Sequence, residues 1–336
     1  MFDRRIAALL IAALLLSPAY ASDINLASVN AAGFAEPDLD DQIHPEIVKA
    51  QILFDRANIS PGEINGKRSG DLDEMVRAFA EAHGLASDTH WSAEFWSKLT
   101  STVTGPVLTD YVVTNEDVKG PFIQLPAKME EMRGLKALGY TGLREALAER
   151  FHMSEELLAA LNPDASFARA GEKIIVANVK TDTKPTPAAR LDVNKDRQTV
   201  KAYSGSGELI AFFPASVGSD EKPTPSGMLK VTLIESEPSF HYNPKYRFKE
   251  VETQKPFDLN PGPNNPLGSI WIALSKPSYG IHGTPEPSLV GKSQSHGCVR
   301  VTNWDAQRLA GMLTRGVPVN FIEKRKDGPD LPFVAY

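Results

Sequence analysis

The sequence contains one cysteine, Cys298, among 336 residues. A disulfide within the chain is therefore excluded, because it needs two thiols. Exported proteins generally use cysteines in pairs, so a lone thiol in an oxidising compartment is a chemical liability. A buried apolar cysteine and an intermolecular disulfide are the plain alternatives to a chemical task, and the residues around Cys298 have to decide between them.

Long apolar segments and basic clusters are missing as well. The N-terminal apolar stretch covers residues 6–16, about half of the ~20 residues that a spanning helix needs. We therefore expect no membrane span. No long basic run stands out and the formal net charge is −6, so the electrostatic footprint of a nucleic-acid-binding protein is absent.

The beginning of the chain is typical of a secretory signal peptide. Arg4 and Arg5 precede the apolar stretch, and Ala19, Tyr20 and Ala21 form a small-residue cleavage site. We predict cleavage after residue 21 and a periplasmic mature protein. No cysteine lies beside this site, so there is no thiol there to which a lipid could be attached.

The upstream half is predicted to be mostly helical. Residues 22–36 are small and polar and predict a flexible leader. Residues 37–105 form a first module, because apolar residues recur at helical spacing on both sides of turn-rich sequence. These positions are Ile47, Ala50 and Phe54 before the turns, and Leu72, Met75, Val76 and Phe79 after them.

Residues 106–179 are predicted to hold a connector and a second small module. Leu143, Leu147 and Phe151 indicate one helix, and Ser154 is the expected N-cap of another. A strand follows the turn at Gly171. Residues 180–189 are rich in Lys, Thr and Pro and predict an extended linker.

Residues 190–324 are predicted to form a β-rich sandwich or barrel, followed by a tail at 325–336. Short β-prone runs, separated by Gly, Pro and Asn clusters, support this; they cover residues 199–203, 209–213, 229–233, 270–274 and 317–322. One helix is expected after its N-cap, Thr302. The whole chain is thus predicted to be multidomain α+β, with a helical N-terminal module, a second small module and a β-rich C-terminal part.

Two histidines lie close in sequence to Cys298. A thiol attacks mainly as thiolate, and a nearby imidazole can take its proton. His282 can approach from another strand, whereas His296 is two residues away on an extended segment, about 6–7 Å distant, and more plausibly shapes the site. Gly297 permits a positive φ before the nucleophile. The N–H groups of Gly297 and Cys298 could then face a developing oxyanion.

This C-terminal stretch resembles the L,D-transpeptidase catalytic domain of the YkuD type. The resemblance rests on His282-Gly283, on Ser295-His296-Gly297-Cys298 followed by Val299-Arg300, and on Thr224-Pro225-Ser226-Gly227. It implies that Cys298 is the nucleophile, His282 the base and Gly283 the residue whose carbonyl orients His282. His296, Gly297, Ser295 and Arg300 complete the motif.

The same resemblance implies the chemistry and the partners. The thiol would attack a tetrapeptide stem of peptidoglycan after its third residue, release the terminal D-alanine and pass the acyl group to an amine, without metal or organic cofactor. Carbapenem-type β-lactams would be inhibitors. The acceptor stays open between a second stem, an outer-membrane protein, a D-amino acid and water.

The upstream modules resemble wall-binding domains. Ile47-Val48-Lys49-Ala50-Gln51 and Ile64-Asn65-Gly66 resemble the helical peptidoglycan-binding domain, and Arg150-Phe151 with Leu161-Asn162-Pro163 resembles the LysM glycan-binding module. The resemblance implies that residues 37–180 hold the enzyme on its polymeric substrate and add little to its chemistry.

Three alternatives remain at this stage. His241, His282, His296 and Cys298 could ligate zinc by residue type, although their spacing lacks the usual paired pattern. The chain could be a catalytically inactive peptidoglycan-binding protein. Arg300 could hold a substrate carboxylate, or it could be a structural arginine.

Overall fold

The computed structural model describes residues 24–102, 104–179, 184–219, 222–246, 251–295 and 297–323. The predicted signal peptide, the predicted C-terminal tail and His296 lie outside these residues. Within the described part of the chain, no helix is both long and apolar enough to cross a membrane.

The segment predicted as a flexible leader contains a helix, α1 (Leu26–Ala31). Asn25 caps it by accepting the N–H groups of Ala27 and Ser28, and Val29 is fully buried. The Asn30 side chain also accepts the N–H group of Leu108 at 2.9 Å. The prediction of flexibility is therefore wrong over α1, because one cap and one buried valine fix this short segment.

Three helices form the first module: α2 (Pro45–Arg56), α3 (Asp71–Ala82) and α4 (Ala93–Thr102). The two helices expected on either side of the turns are confirmed, and α4 is additional. Phe54, Phe79 and Phe95, one from each helix, meet with ring centroids 5.5 to 6.0 Å apart. This aromatic cluster holds the three helices together.

The second module begins earlier than expected. Strand β1 (Leu108–Val112) pairs antiparallel with β2 (Lys173–Ala177). This two-stranded sheet joins the beginning of the module to its end. Between them lie α5 (Asn115–Lys119), a 3₁₀ helix (Met129–Gly134), α6 (Leu143–Arg150) and α7 (Glu155–Leu161). Ser154 caps α7 through the N–H group of Leu157, as predicted.

The C-terminal part is β-rich, as predicted, with one further helix. Its strands are β3 (Arg190–Asn194), β4 (Thr199–Tyr203), β5 (Leu209–Pro214), β6 (Gly227–Ser236), β7 (Phe240–Tyr242), β8 (Phe257–Leu259), β9 (Ile270–Leu274), β10 (Gly280–His282), β11 (Val299–Arg300) and β12 (Pro318–Ile322). Eight of them form a sheet in the order β11-β10-β9-β6-β12-β3-β4-β5, and β7 pairs with β8.

The long strand β6 joins the two halves of this sheet. Its first residues pair with β12 and its later residues with β9, and the register shifts between Val231 and Leu233. Buried apolar side chains from both halves, such as Val193 and Ile272, belong to one core. The layers of the expected sandwich are thus parts of one continuous sheet.

Helix α8 (Asn303–Met312) begins at the N-cap Thr302, whose hydroxyl accepts the N–H group of Asp305, as predicted. Its buried Ala306 and Leu309 pack in the core of the C-terminal part. The helix therefore starts directly behind the Cys298 segment, two residues after β11.

The upstream and C-terminal parts share a core. Tyr203, Leu209 and Phe212 of β4 and β5 are buried with the apolar residues of the upstream modules. Arg308 of α8 also donates to Asp55 of α2 at 2.9 Å, and Asp55 is fully buried. The described end of the expected linker is docked too, because Ala188 donates its N–H group to Met312.

Candidate active site

Neighbouring strands bring His282 next to the Cys298 segment. Strands β10 and β11 run parallel, with Ile281 opposite Val299 and His282 opposite Arg300. Ile281 and Val299 are buried in the core. Since side chains alternate along a strand, His282, Arg300 and Cys298 belong to the opposite face. The sequence prediction that His282 reaches the cysteine from another strand therefore agrees with the register.

The row through His282 continues across the sheet. Trp271 of β9 lies opposite His282, and Glu235 of β6 lies opposite Trp271. Arg300, His282, Trp271 and Glu235 thus occupy four adjacent strands, and all four line the same cleft. With strands about 4.8 Å apart, the cationic and anionic ends of this row are about 14 Å apart.

His282 is held in one tautomer. The residue is 5% exposed, and its Nδ1 lies 2.6 Å from the carbonyl oxygen of Gly283. A carbonyl can only accept, so Nδ1 carries the hydrogen and Nε2 keeps the lone pair of the neutral ring. Burial lowers the pKa of His282 to about 4, against the opposing effect of the Gly283 bond. The imidazole is therefore neutral at physiological pH.

Gly283 is needed because of its neighbour Asn303. A Cβ at position 283 would lie 2.1 Å from Asn303 Oδ1, and a Cβ at Gly268 would lie 2.0 Å from the same atom. Asn303 Oδ1 accepts the N–H group of Ser269 at 3.0 Å. Its Nδ2 donates to a carboxylate oxygen of Glu149, which belongs to α6 of the second module. Gly283, whose carbonyl orients His282, thus lies against a side chain that is bonded to the upstream part.

The Cys298 thiol rests in its protonated form. Burial raises its pKa to about 11, partly offset by the N–H group of Gly280 and by the charge of Arg300. Its Sγ lies 3.6 Å from the carbonyl oxygen of Ser278. Because the thiol pKa is high and the His282 pKa is low, the resting pair is neutral.

The loop before Cys298 is fixed by Ser295. The Ser295 hydroxyl accepts the N–H group of Gly297 at 3.1 Å and donates to the carbonyl of Cys298. Gly297 has φ +110°, which agrees with the expected positive φ. Its N–H group is already engaged, however, so the expectation that this group faces an oxyanion is not met in this structure.

These residues border a cleft of about 1220 Å³. One side carries Cys298 and His282. The opposite side is built by the β7–β8 hairpin and by the stretch between β1 and α6, and it includes Leu125, Met129 and Met132. The upstream half of the chain therefore contributes to the walls around the thiol.

Comparison with known proteins gives a family for this site. The family model of the L,D-transpeptidase catalytic domain matches residues 188–321. YkuD of Bacillus licheniformis, named as an L,D-transpeptidase, is 31% identical over 179 residues, which cover 52% of this chain and 91% of that protein. The chain belongs to the L,D-transpeptidase family.

Two further matches agree with this assignment in name. YkuD of Bacillus subtilis is 29% identical over 178 residues, covering 52% of this chain and 90% of that protein. The solved L,D-transpeptidase from Mycobacterium smegmatis is 19% identical, with a TM-score of 0.33, over 44% of this chain and 65% of that chain. The assignment to the family rests on sequence. As a family member, the protein is an acyltransferase.

Two candidate substrate-binding residues of this L,D-transpeptidase have contacts within the protein. The hydroxyl of Ser295 serves its own loop. Arg300 Nη2 donates to the carbonyl of Gln294 at 2.5 Å, and its backbone pairs with Ser216. Both residues line the cleft, so their role toward a carboxylate stays a prediction.

Sequence reasoning missed much of the cleft of this transpeptidase. Glu235 and the upstream residues Met129 and Met132 line the cleft, and the sequence analysis names none of them. No local motif marks them, because strand register and tertiary packing bring them to the site.

Among the described residues, no group of three or more His, Cys, Asp or Glu side chains is placed to bind zinc or another metal ion. His241 instead lies 2.7 Å from Asp258 across the β7–β8 hairpin. That pair is exposed on both sides. His296 lies outside the described residues, so its part in the site stays a prediction.

Proposed function

We propose that this protein is a peptidoglycan L,D-transpeptidase that works through an acyl-enzyme on Cys298. The observation that supports this most is the neutral His282, whose Nδ1 hydrogen is bound to Gly283 while Nε2 keeps its lone pair on the face that carries the thiol. A buried neutral imidazole beside a protonated thiol can act as a general base, because it can take the thiol proton when the sulfur attacks a bound electrophile.

The proposed first half-reaction is acylation. As Cys298 Sγ attacks the carbonyl after the third residue of a tetrapeptide stem, His282 Nε2 takes the thiol proton. The tetrahedral intermediate then collapses, the C–N bond to the terminal D-alanine breaks, and the proton on His282 passes to the departing amine. A thioester on Cys298 remains.

The second half-reaction reverses these roles. An acceptor amine attacks the thioester, His282 takes the amine proton, and the thiol leaves with that proton restored to sulfur. The acceptor is a second stem, which gives a 3→3 crosslink, or an amine of an outer-membrane protein. The cleft of about 1220 Å³ exceeds a common ligand pocket, in keeping with two substrates.

Mass spectrometry of the intact protein tests this proposal. Incubation with purified tetrapeptide wall fragments should add the mass of the fragment less its terminal D-alanine, and incubation with a carbapenem should add the mass of the whole drug. A matched Cys298→Ala protein should gain neither. Retention on the wall without any covalent adduct would support an inactive binding protein instead.

We also propose export to the periplasm through the signal sequence in residues 1–21. The upstream modules, residues 37–180, are proposed to bind the wall and so raise the local substrate concentration. Cell fractionation and the N-terminal mass of the recovered protein test the first proposal. Sedimentation with insoluble peptidoglycan tests the second.

A further inference from the structure

Thr224 connects two segments that meet at the nucleophile. The residue is 3% exposed, and its hydroxyl accepts the N–H group of Gly218 at 2.7 Å and donates to the carbonyl of Gly297 at 3.0 Å. Lys195 Nζ donates to the backbone carbonyl of Thr224 at 3.0 Å, and this bond fixes the backbone of Thr224. Gly218 has no room for a side chain, since a Cβ there would lie 2.9 Å from Gly297 Cα.

The peptide groups of Gly297 and Cys298 offer four polar atoms. Ser295 takes the N–H group of Gly297 and donates to the carbonyl of Cys298, and Thr224 donates to the carbonyl of Gly297. The fourth atom is the amide nitrogen of Cys298. The peptide bond between the two residues is trans, so this N–H group points opposite to the Gly297 carbonyl.

We propose that Thr224 is a positioning residue that directs the N–H group of Cys298 toward the oxyanion of the tetrahedral intermediate. This deepens the proposed function and rests on it. By binding the Gly297 carbonyl from one side, the hydroxyl fixes the plane of the peptide whose N–H faces the other side. Gly297, at φ +110°, has no Cβ that would resist a rotation of this peptide.

The chemistry explains why this direction matters. When Cys298 Sγ attacks a carbonyl carbon, negative charge develops on the carbonyl oxygen, and a donor that is already aimed lowers the barrier. Substitution at a saturated carbon by the same thiol produces no oxyanion. A residue that acts through the amide direction therefore affects acyl transfer and leaves alkylation of the same sulfur unchanged.

The test compares these two reactions in the full-length protein. We expect Thr224→Val to slow acylation by a carbapenem at least tenfold, as part of the roughly 10²–10³-fold that an oxyanion donor contributes. Alkylation by iodoacetamide at the same pH should change less than twofold. Thr224→Ser keeps the hydroxyl and should restore acylation to within about threefold. Should Thr224→Val fail to fold, Thr224→Ala decides by the same ratio of rates.

Ser216→Ala is the matched control. The hydroxyl of Ser216 is equally buried, accepts the N–H group of Gly291 at 3.1 Å and donates to the carbonyl of Leu289 at 3.2 Å, without contacting Gly297. Its ratio of acylation to alkylation should match that of the wild type. An unchanged ratio in Thr224→Val, or an equal fall of both rates, would overturn the role of Thr224. A wild-type protein that is alkylated but never acylated would instead overturn the proposed function.

Discussion

Two polar clusters, one at the cleft and one where α8 meets α2, are built on different principles. At the cleft, Cys298 and His282 are both neutral, because burial raises the thiol pKa and lowers the imidazole pKa. At the junction with α2, Asp55 keeps its charge: although burial opposes this, Arg308 and His152 lower its pKa to about 2. The neutral thiol and imidazole are suited to proton transfer. The paired charges of Asp55 and Arg308 instead join two parts of the chain.

The junction extends beyond the ion pair. His152 Nδ1 lies 3.0 Å from Asp55 and its ring stacks on Trp304, with centroids 5.2 Å apart. Ser60 donates to Asp305 at 2.8 Å from the upstream side. The stack on Trp304 and the bond to Asp305 cross from the upstream modules to α8, whereas His152 and Asp55 both belong to the upstream part. The comparison therefore predicts separate failures: damage at the junction should cost stability, and damage at the cleft should cost chemistry.

The largest effect is expected from removing the upstream half. A protein that begins at Thr186 would expose Tyr203, Leu209 and Phe212, which the upstream core buries, and would lack the cleft wall around Met129 and Met132. We expect it to be insoluble or only partly folded, as measured by circular dichroism and urea unfolding. Normal carbapenem acylation by the truncated protein would instead restore the purely tethering role predicted from sequence.

The next effect concerns the cleft alone. His282→Ala should lower the rate of carbapenem acylation about 10²–10⁴-fold, because it removes the general base, while the urea midpoint falls little in comparison with junction variants. Stopped-flow kinetics with mass detection measures the rate. A loss of only about twofold would make His296 the better candidate for the base.

The junction alone is tested by Asp55→Asn. Leaving Arg308 buried without its counter-charge should cost about 3–5 kcal/mol of unfolding free energy, measured by urea unfolding, while the acylation rate of the folded fraction stays within about twofold. Glu116→Gln breaks an exposed pair with Lys119 and should cost less than about 1 kcal/mol. Equal losses in the two variants would contradict the contrast between the clusters.

A pH series sharpens the comparison at His282. Its folded pKa of about 4 lies below the ordinary 6.5, so the unfolded chain binds more protons between these values. The unfolding free energy should therefore fall as the pH drops from 6.5 to 4, by about 3 kcal/mol from this residue.

Asp305 acts in the opposite direction, since burial raises its pKa to about 6 and its protonation favours the folded state as the pH falls. Wild type and His282→Asn must therefore be compared by difference, which cancels Asp305. The variant should show the shallower acid-side loss of stability. Parallel curves would mean that His282 is charged, or solvated, in the folded protein.

The smallest effect is expected at Asn303, the residue of α8 that bonds to upstream Glu149 and lies against Gly283. Glu149→Gln weakens the acceptor of Asn303 and should slow acylation about two- to fivefold through the Gly283 carbonyl. Burial raises the pKa of Glu149 to about 7, so the difference should be larger at pH 8 than at pH 6. Glu81→Gln is the control, because Glu81 also joins the upstream and C-terminal parts, by accepting from Tyr203, and is not a hydrogen-bond partner of Asn303.

Sequence patterns predicted what depends on neighbours along the chain. The caps at Ser154 and Thr302 and the positive φ of Gly297 follow from the chemistry of a few adjacent residues, and all are confirmed. The β-rich class follows from alternating runs such as β9. Spacing also indicated that His282 could reach Cys298, although the roles of both residues stay predictions.

Strand pairings and packing contacts between residues distant in sequence could not be predicted from local patterns. β1 was treated as part of a connector because its partner, β2, lies more than sixty residues further along. β10 and β11 contain three and two residues, too few to show a period. The approach of Met129 to the cleft depends on the β7–β8 hairpin, over a hundred residues away, and no local pattern records such a contact.

That long-range packing also sets an order of assembly. The small apolar cluster that completes the cleft joins Leu138 to Phe240 and Leu259, so it closes a loop of about a hundred residues, and contacts of high sequence separation form slowly. The helices α2 and α3 and the hairpin of β3 and β4 need only local contacts and can form first. We therefore expect the cleft wall to be among the last elements to fold, so that the thiol is enclosed only after the chain on both sides of it has collapsed.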